Sequence, residues 1–114
     1  SAMLEDTDEI FYVNLPNQGY ITNIPDGYVV EVPTMMGAYE CKPISCGELP
    51  SEIAGIITHW INIQELMIDA ALVGSRKIAL QALLLDPIMC SIDGAEAMLD
   101  ELIAANAAYL PRFR

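Results

Sequence analysis

The sequence predicts an α+β domain, a small sheet of short, mostly antiparallel strands in the first half followed by three helices, and three observations carry that expectation. β-forming segments punctuated by proline and glycine fill residues 10–45. A helical apolar period takes over after Pro50, and two further helical segments follow, separated by Gly74 and by Asp86-Pro87. The 114 residues suit one domain. The expected organisation is a tag remnant and flexible N-terminus over 1–9, where Ser1-Ala2 ahead of Met3 reads as an expression scar, then a single domain over 10–114.

Four strands are expected: Ile10-Phe11-Tyr12-Val13, Gly19-Tyr20-Ile21-Thr22, Tyr28-Val29-Val30-Glu31-Val32 and Tyr39-Glu40-Cys41-Lys42. Leu15-Pro16-Asn17, Ile24-Pro25-Asp26-Gly27 and Gly37 separate them, because proline sets φ and glycine admits positive φ. Pro16, Pro25, Pro33 and Pro43 lack the amide donor that a central ladder needs, so the strands should be short and partly at sheet edges. Such edges invite pairing with a second copy.

Ser51 is the expected N-cap of a long helix through Val73. Ile53, Ile56, Ile57, Trp60, Ile63, Met67, Ala70 and Ala71 recur along it at spacings of three and four, and Gly74 is its expected left-handed stop. A second helix should run from Ser75 or Arg76 to Leu85, since the residue before Pro87 is steered away from the α region. The third should begin at Asp93, with Glu96 completing a capping box, and continue past Leu99, Leu102, Ile103, Asn106 and Leu110 to Pro111.

Composition narrows the function. Sixteen acidic against five basic residues leave a formal charge of −11, and Lys42, Arg76, Lys77, Arg112 and Arg114 are scattered, which argues against nucleic acid and against anionic membrane surfaces. No apolar run is long enough to span a bilayer and the chain opens on no secretion signal, so the expected compartment is cytoplasmic. The 54% apolar content and mean hydropathy of +0.36 exceed what a small domain can hide. The surplus points to a surface that meets another subunit or a missing part of a larger protein. The odd count of cysteines, at 41, 46 and 90, fits reduced thiols.

Candidate chemistry is sparse. No Gly-x-Gly-x-x-Gly follows a strand, so no cradle for a pyrophosphate is visible. Cys41 and Cys46 lack the second pair or His-x3-His of a metal site and read as inert packing. His59, the single histidine, reads as a boundary residue hydrogen-bonded locally rather than as a base. Glu65 with Asp69, and Glu96 with Asp100, each share one helix face, whereas glycosidic carboxylates flank the bond they cleave. They read as a solvated face, or as partners of polar groups on a neighbouring helix. Asn62 and Gln64 read as amides bonded to nearby backbone. No residue is assigned a catalytic, cofactor-binding or metal role.

Val29-Val30-Glu31-Val32-Pro33, Leu49-Pro50, the run from Ile61-Asn62-Ile63-Gln64-Glu65-Leu66 to Gly74, and Ala79-Leu80-Gln81-Ala82-Leu83-Leu84-Leu85-Asp86-Pro87 occur in one order with characteristic spacings. In this the chain resembles, over roughly residues 10 to 113, the C-terminal region of the family 4 glycoside hydrolases. It looks most similar to their α-galactosidase and α-glucosidase-like members. There the matching helix commonly begins with Asn-Arg-Thr, and this chain has Ile57-Thr58-His59. The resemblance implies a longer enzyme with an N-terminal dinucleotide-binding domain that uses NAD to oxidise the sugar at C3, a Mn2+-assisted base to remove the C2 proton, and elimination of the leaving group. The family's Cys and His metal ligands and its tyrosine base lie upstream of the matched region. Their roles are therefore not transferred to Cys41, Cys46, His59 or any tyrosine here.

The expected function is that of a C-terminal structural and oligomerisation part of such a glycosidase, catalytically silent alone. Its partners would be itself and the missing N-terminal catalytic domain, with sugar, NAD and Mn2+ bound only by the full-length enzyme. The alternative is a free-standing protein-interaction module that keeps the fold and lacks the active site.

Overall fold

The computed structural model describes residues 9–113 and has the expected α+β arrangement. Three strands, β1 (Glu9–Pro16), β2 (Val29–Met36) and β3 (Cys41–Pro43), precede three helices, α1 (Ser51–Val73), α2 (Arg76–Leu85) and α3 (Ile92–Ala105). The tag remnant and flexible segment expected over 1–9 lie outside the described residues except for Glu9, which already belongs to β1. The chain forms two compact units, one up to Thr58 and one from His59, so the division falls within α1.

In the first unit the sheet is antiparallel in the order β1-β2-β3. β1 and β2 pair one to one from Glu9↔Met36 to Pro16↔Val29. Contrary to expectation, Pro33 sits in the central strand rather than at an edge. Its carbonyl still accepts from the Ile44 N–H at 2.9 Å, so its nitrogen faces β3, and the donor that would answer the Ile44 carbonyl is missing. That loss explains why β3 ends at Pro43 after three residues and why the ladder between β1 and β2 is undisturbed.

The strand expected at Gly19–Thr22 is absent. Only one bridge, Ile21↔Gly47, forms there. Asn17, fully buried, explains the difference. Its Nδ2 donates to the carbonyls of Ile21 (3.0 Å) and Ile24 (2.8 Å), and its Oδ1 accepts from the Ile21 N–H (3.1 Å). These bonds draw residues 17–24 into a tight loop, and its remaining bonds reach outward, from the Thr22 N–H to the Gly47 carbonyl and from the Cys46 N–H to the Tyr20 carbonyl. Val32 and Thr34 are fully buried in this unit, with Ile21, Ile24 and Ala54 nearly so.

α1 begins as its spacing predicts, with one refinement. The carbonyl of Pro50 accepts the Ala54 N–H, so Ser51 is the first helical residue and not a flanking cap. Gly74 ends the helix at φ +74°, and the N–H groups of Gly74 and Ser75 both close on the Ala70 carbonyl. Ser75 then caps α2 by accepting from the Ile78 N–H at 3.2 Å. α3 starts earlier than expected. Its cap is Ser91, whose Oγ accepts from the Gly94 N–H at 3.0 Å, while Asp93 lies inside the first turn and faces the positive end of the helix dipole. The helix also stops at Ala105 instead of running to Pro111. Asn106 closes it, because both its backbone N–H and its Nδ2 donate to the Leu102 carbonyl. Ala70, Ala79 and Leu99 form the centre of this second unit, with Ile78, Leu80, Leu83, Ile103 and Phe113 packed around them.

Candidate functional site

Several polar side chains, Asn17 first among them, bind the chain's own backbone. Besides Asn17, Asn23 grips Leu49 at both ends: Nδ2 donates to its carbonyl at 2.8 Å and Oδ1 accepts its N–H at 2.9 Å. This ties the loop after β1 to the segment that leads into α1. Neither asparagine carries a sequence signal beyond its turn-forming type, so their roles were not legible in advance. Of the predicted candidates, His59 follows this pattern, whereas Asn62 and Gln64 stand exposed on α1 without the backbone bond expected of them. His59 Nε2 lies 2.8 Å from the carbonyl of Leu85, the last residue of α2, a longer-range bond than the local one expected. Its ring meets that of Trp60 edge-on at 6.5 Å.

Of the acidic pairs, Asp100 accepts from Arg76 Nε at 3.0 Å and Nη2 at 2.8 Å, joining α3 to α2. The carboxylate is thus spent on a polar group of a neighbouring helix, one of the two readings its sequence position allowed. Glu65 and Asp69 remain on one face of α1, and among the described residues no third acid or histidine joins them as a metal site. Among the described residues no group of three His, Cys, Asp or Glu side chains could hold a metal ion. Cys41, Cys46 and Cys90 are free thiols, but all three are exposed, so Cys41 and Cys46 are not the apolar packing expected of them. Cys41 Sγ contacts Met36 Sδ at 3.3 Å, and the other two contact the carbonyls of Ile44 and Ile88.

A dinucleotide fares no better. Gly19, Gly27 and Gly47 adopt positive φ with open space around them, but none is joined directly to a helix N-terminus. The nearest, Gly47, is separated from α1 by Glu48-Leu49-Pro50, and Glu52 occupies the first turn, so a pyrophosphate there would meet two carboxylates. Among the described residues none forms the glycine cradle that NAD would need or the converging ligand set that Mn2+ would need.

One concavity stands out in the second unit, an open groove of about 250 Å³ lined by Met67, Ala71, Leu83, Leu102, Leu110 and Phe113 among others. Asn106, its one polar lining residue, spends Nδ2 on the Leu102 carbonyl. A sugar needs several convergent donors and acceptors, and the polar lining of this groove is a single asparagine. Large apolar side chains are also exposed on the first strand and the long helix, including Ile10, Phe11, Tyr12, Ile53, Ile56 and Trp60. No helix among the described residues is long and apolar enough to cross a membrane.

Comparison with known proteins supplies what the geometry lacks. Residues 1–89 match the model of the family 4 glycosyl hydrolase C-terminal domain. The chain is 35% identical to a phospho-α-glucosidase of Clostridium acetobutylicum, over 96% of this chain and 24% of that protein. It is also 35% identical to an α-galactosidase of Bacillus subtilis, over 99% of this chain and 27% of that protein. Its fold is similar to that of the 6-phospho-β-glucosidase of Thermotoga maritima, solved with manganese, NAD+ and glucose-6-phosphate, at a TM-score of 0.81 and 33% identity over 92% of this chain and 26% of that one. The chain therefore spans about a quarter of the length of the relatives it matches. Near-equal identity to relatives named for three different glycosides means that overall likeness selects no sugar.

Proposed function

Because this chain belongs to the family 4 glycosyl hydrolases, as their C-terminal domain, we propose that it is the scaffolding and self-association part of an NAD- and Mn2+-dependent glycosidase of the cytoplasm. Residues 10–114 act as one module, contribute no catalytic group alone, and work beside an N-terminal domain that holds the dinucleotide, the metal and the sugar. The use of polar side chains carries this reading. Asn17, Asn23, His59, Asn106 and Arg112 are each committed to backbone carbonyls of the chain itself, whereas a catalytic surface keeps polar groups turned toward a ligand. The exposed apolar side chains support the second half of the proposal, since a surface of that kind is stable in water chiefly when another protein covers it.

The test uses the purified chain with NAD, MnCl2 and nitrophenyl glycosides, both phosphorylated and unphosphorylated. The expected result is no turnover, no NAD binding by calorimetry, and a light-scattering mass above the 12.5 kDa of one copy. Turnover by the isolated chain, abolished by His59→Ala, would instead establish a small hydrolase built on that histidine.

A further inference from the structure

We propose that the outer edge of β1 is the seam through which two copies of this chain pair, strand against strand, about a two-fold axis at Tyr12. This rests on the self-association proposed above and names its surface. The ladder shows which groups are available. Asn17 N–H donates to the Tyr28 carbonyl, and Ile44 N–H to that of Pro33. With the one-to-one register, these bonds turn the odd residues of β1 inward to β2 and leave the N–H and C=O of Ile10, Tyr12 and Asn14 facing outward. Among the described residues no strand lies on that side.

The two edges of the sheet differ in the way that matters. β3 is three residues long and carries Lys42 and Pro43, which blunt an edge against pairing. β1 is eight residues long, has no lysine, no bulge in its register and no proline before Pro16. Its side chains are exposed on both faces: Tyr12 is 74% exposed, Ile10 59% and Phe11 46%. A long, apolar, unbulged edge of this kind is a template for another strand.

A second copy fits this template better than a charged partner does. In an antiparallel pairing centred on Tyr12, Tyr12 meets its own counterpart, Ile10 meets Asn14, and Phe11 meets Val13, an aromatic and β-branched pair of the sort that stabilises sheets. The outward N–H and C=O of Ile10, Tyr12 and Asn14 then all find partners, as an isologous contact requires. Charge, the main obstacle to joining two copies of −11 each, is confined in the seam to one residue per strand. Glu9, the single ionised residue of β1, falls opposite Leu15, so the two Glu9 backbones stand about 20 Å apart at roughly 3.4 Å per residue. That separation is more than twice the screening length of about 8 Å at physiological salt.

Tyr12→Pro tests the seam, because it deletes an outward donor while the inner ladder keeps all its bonds. The wild-type chain is expected to be a dimer by sedimentation equilibrium, with slow amide exchange at Ile10, Tyr12 and Asn14. Tyr12→Pro should weaken dimerisation by about thirty-fold or more with an unchanged helical circular dichroism spectrum. Tyr12→Lys, which keeps the N–H but sets two ammonium groups against each other, decides the matter if the proline variant does not fold; it should weaken the dimer about ten-fold. Variants that both dimerise like wild type, or a wild-type dimer whose three outward amides exchange freely, would overturn the seam and leave self-association standing. A wild-type chain that stays monomeric at all concentrations would overturn both, and would leave this edge to another part of a longer enzyme.

Discussion

Replacing Gly74 by alanine should cost far more than replacing Gly27, although the two share nearly the same backbone conformation, φ +74° and +88°. The left-handed region alone costs an alanine about 1–2 kcal/mol. Gly27 has open space around it, so Gly27→Ala should stop at that figure. At Gly74 an added Cβ would lie 2.1 Å from the Arg112 carbonyl oxygen and 2.6 Å from its carbon, which no rotamer can relieve because both are backbone atoms. The C-terminal segment has to lift, and with it go the bond from the Arg112 guanidinium to the Leu72 carbonyl and part of the packing of Phe113 on the helical core. Together these add roughly 2 kcal/mol, for a total of about 3–4 kcal/mol. Urea denaturation at fixed protein concentration measures both variants. A chain ending at Pro111 provides the decisive control, since without Arg112 the penalty at Gly74 should fall to that at Gly27. Equal costs in the full chain, or a Gly74→Ala penalty undiminished in the shortened one, would refute this account of the close approach.

Three further outcomes follow from single contacts. Asn17→Ala should destabilise the chain by about 3 kcal/mol in the same melts, because it leaves the Ile21 and Ile24 carbonyls and the Ile21 N–H buried without their partner; a loss under 1 kcal/mol would show that the loop has other support. Ser91→Ala should cost about 1 kcal/mol and Asp93→Ala less than half of that, since Ser91 makes the cap bond; the reverse order would restore the assignment made from sequence. A double-mutant cycle on Arg76 and Asp100, both largely exposed, should give a coupling below about 1 kcal/mol that shrinks in high salt.

How much of this was legible depended on whether the determinant was local. The helices followed from apolar spacing and from punctuation by Gly74 and Asp86-Pro87, which act within a turn of where they sit. The start of α3 was misplaced because Ser91 and Asp93 are both good caps, and only the phase of the helix distinguishes them. Gly19–Thr22 has the composition of a strand, yet Asn17 takes its backbone groups first, and nothing in a side chain's type reveals that it will be buried facing two carbonyls. Pro33 was expected near an edge because its missing donor matters only on the side its nitrogen faces, and that side depends on register. The pair formed by Asn23 and Leu49 lies 26 residues apart in sequence and leaves no periodic trace. As for function, the ordered motifs led to the family, while the bonds of Asn17, Asn23 and His59 to distant backbone leave no pattern a sequence can show.

The distribution of apolar residues leads to a last prediction, about stability. In the second unit the buried apolar residues are Ile61, Ile63, Leu99 and four alanines at 70, 79, 82 and 95. An alanine buries a single methyl, on the order of 0.8 kcal/mol, against about 1.5–3 kcal/mol for a leucine or isoleucine. The large side chains that would supply more, among them Trp60, Met67, Leu72 and Leu102, stand exposed. A domain so arranged gains less from folding alone than its composition would allow, and gains the remainder when its surface is covered. If the cover is a second copy, folding and association are linked, and each ten-fold rise in protein concentration should add about 1.4 kcal/mol per dimer to the apparent stability. The urea midpoint of the wild-type chain should therefore climb across a hundred-fold range of concentration, while that of Tyr12→Pro should begin to climb only at concentrations about thirty-fold higher. A wild-type midpoint that is both high and independent of concentration would mean that the alanine core suffices, and the exposed side chains would then need no partner to explain them.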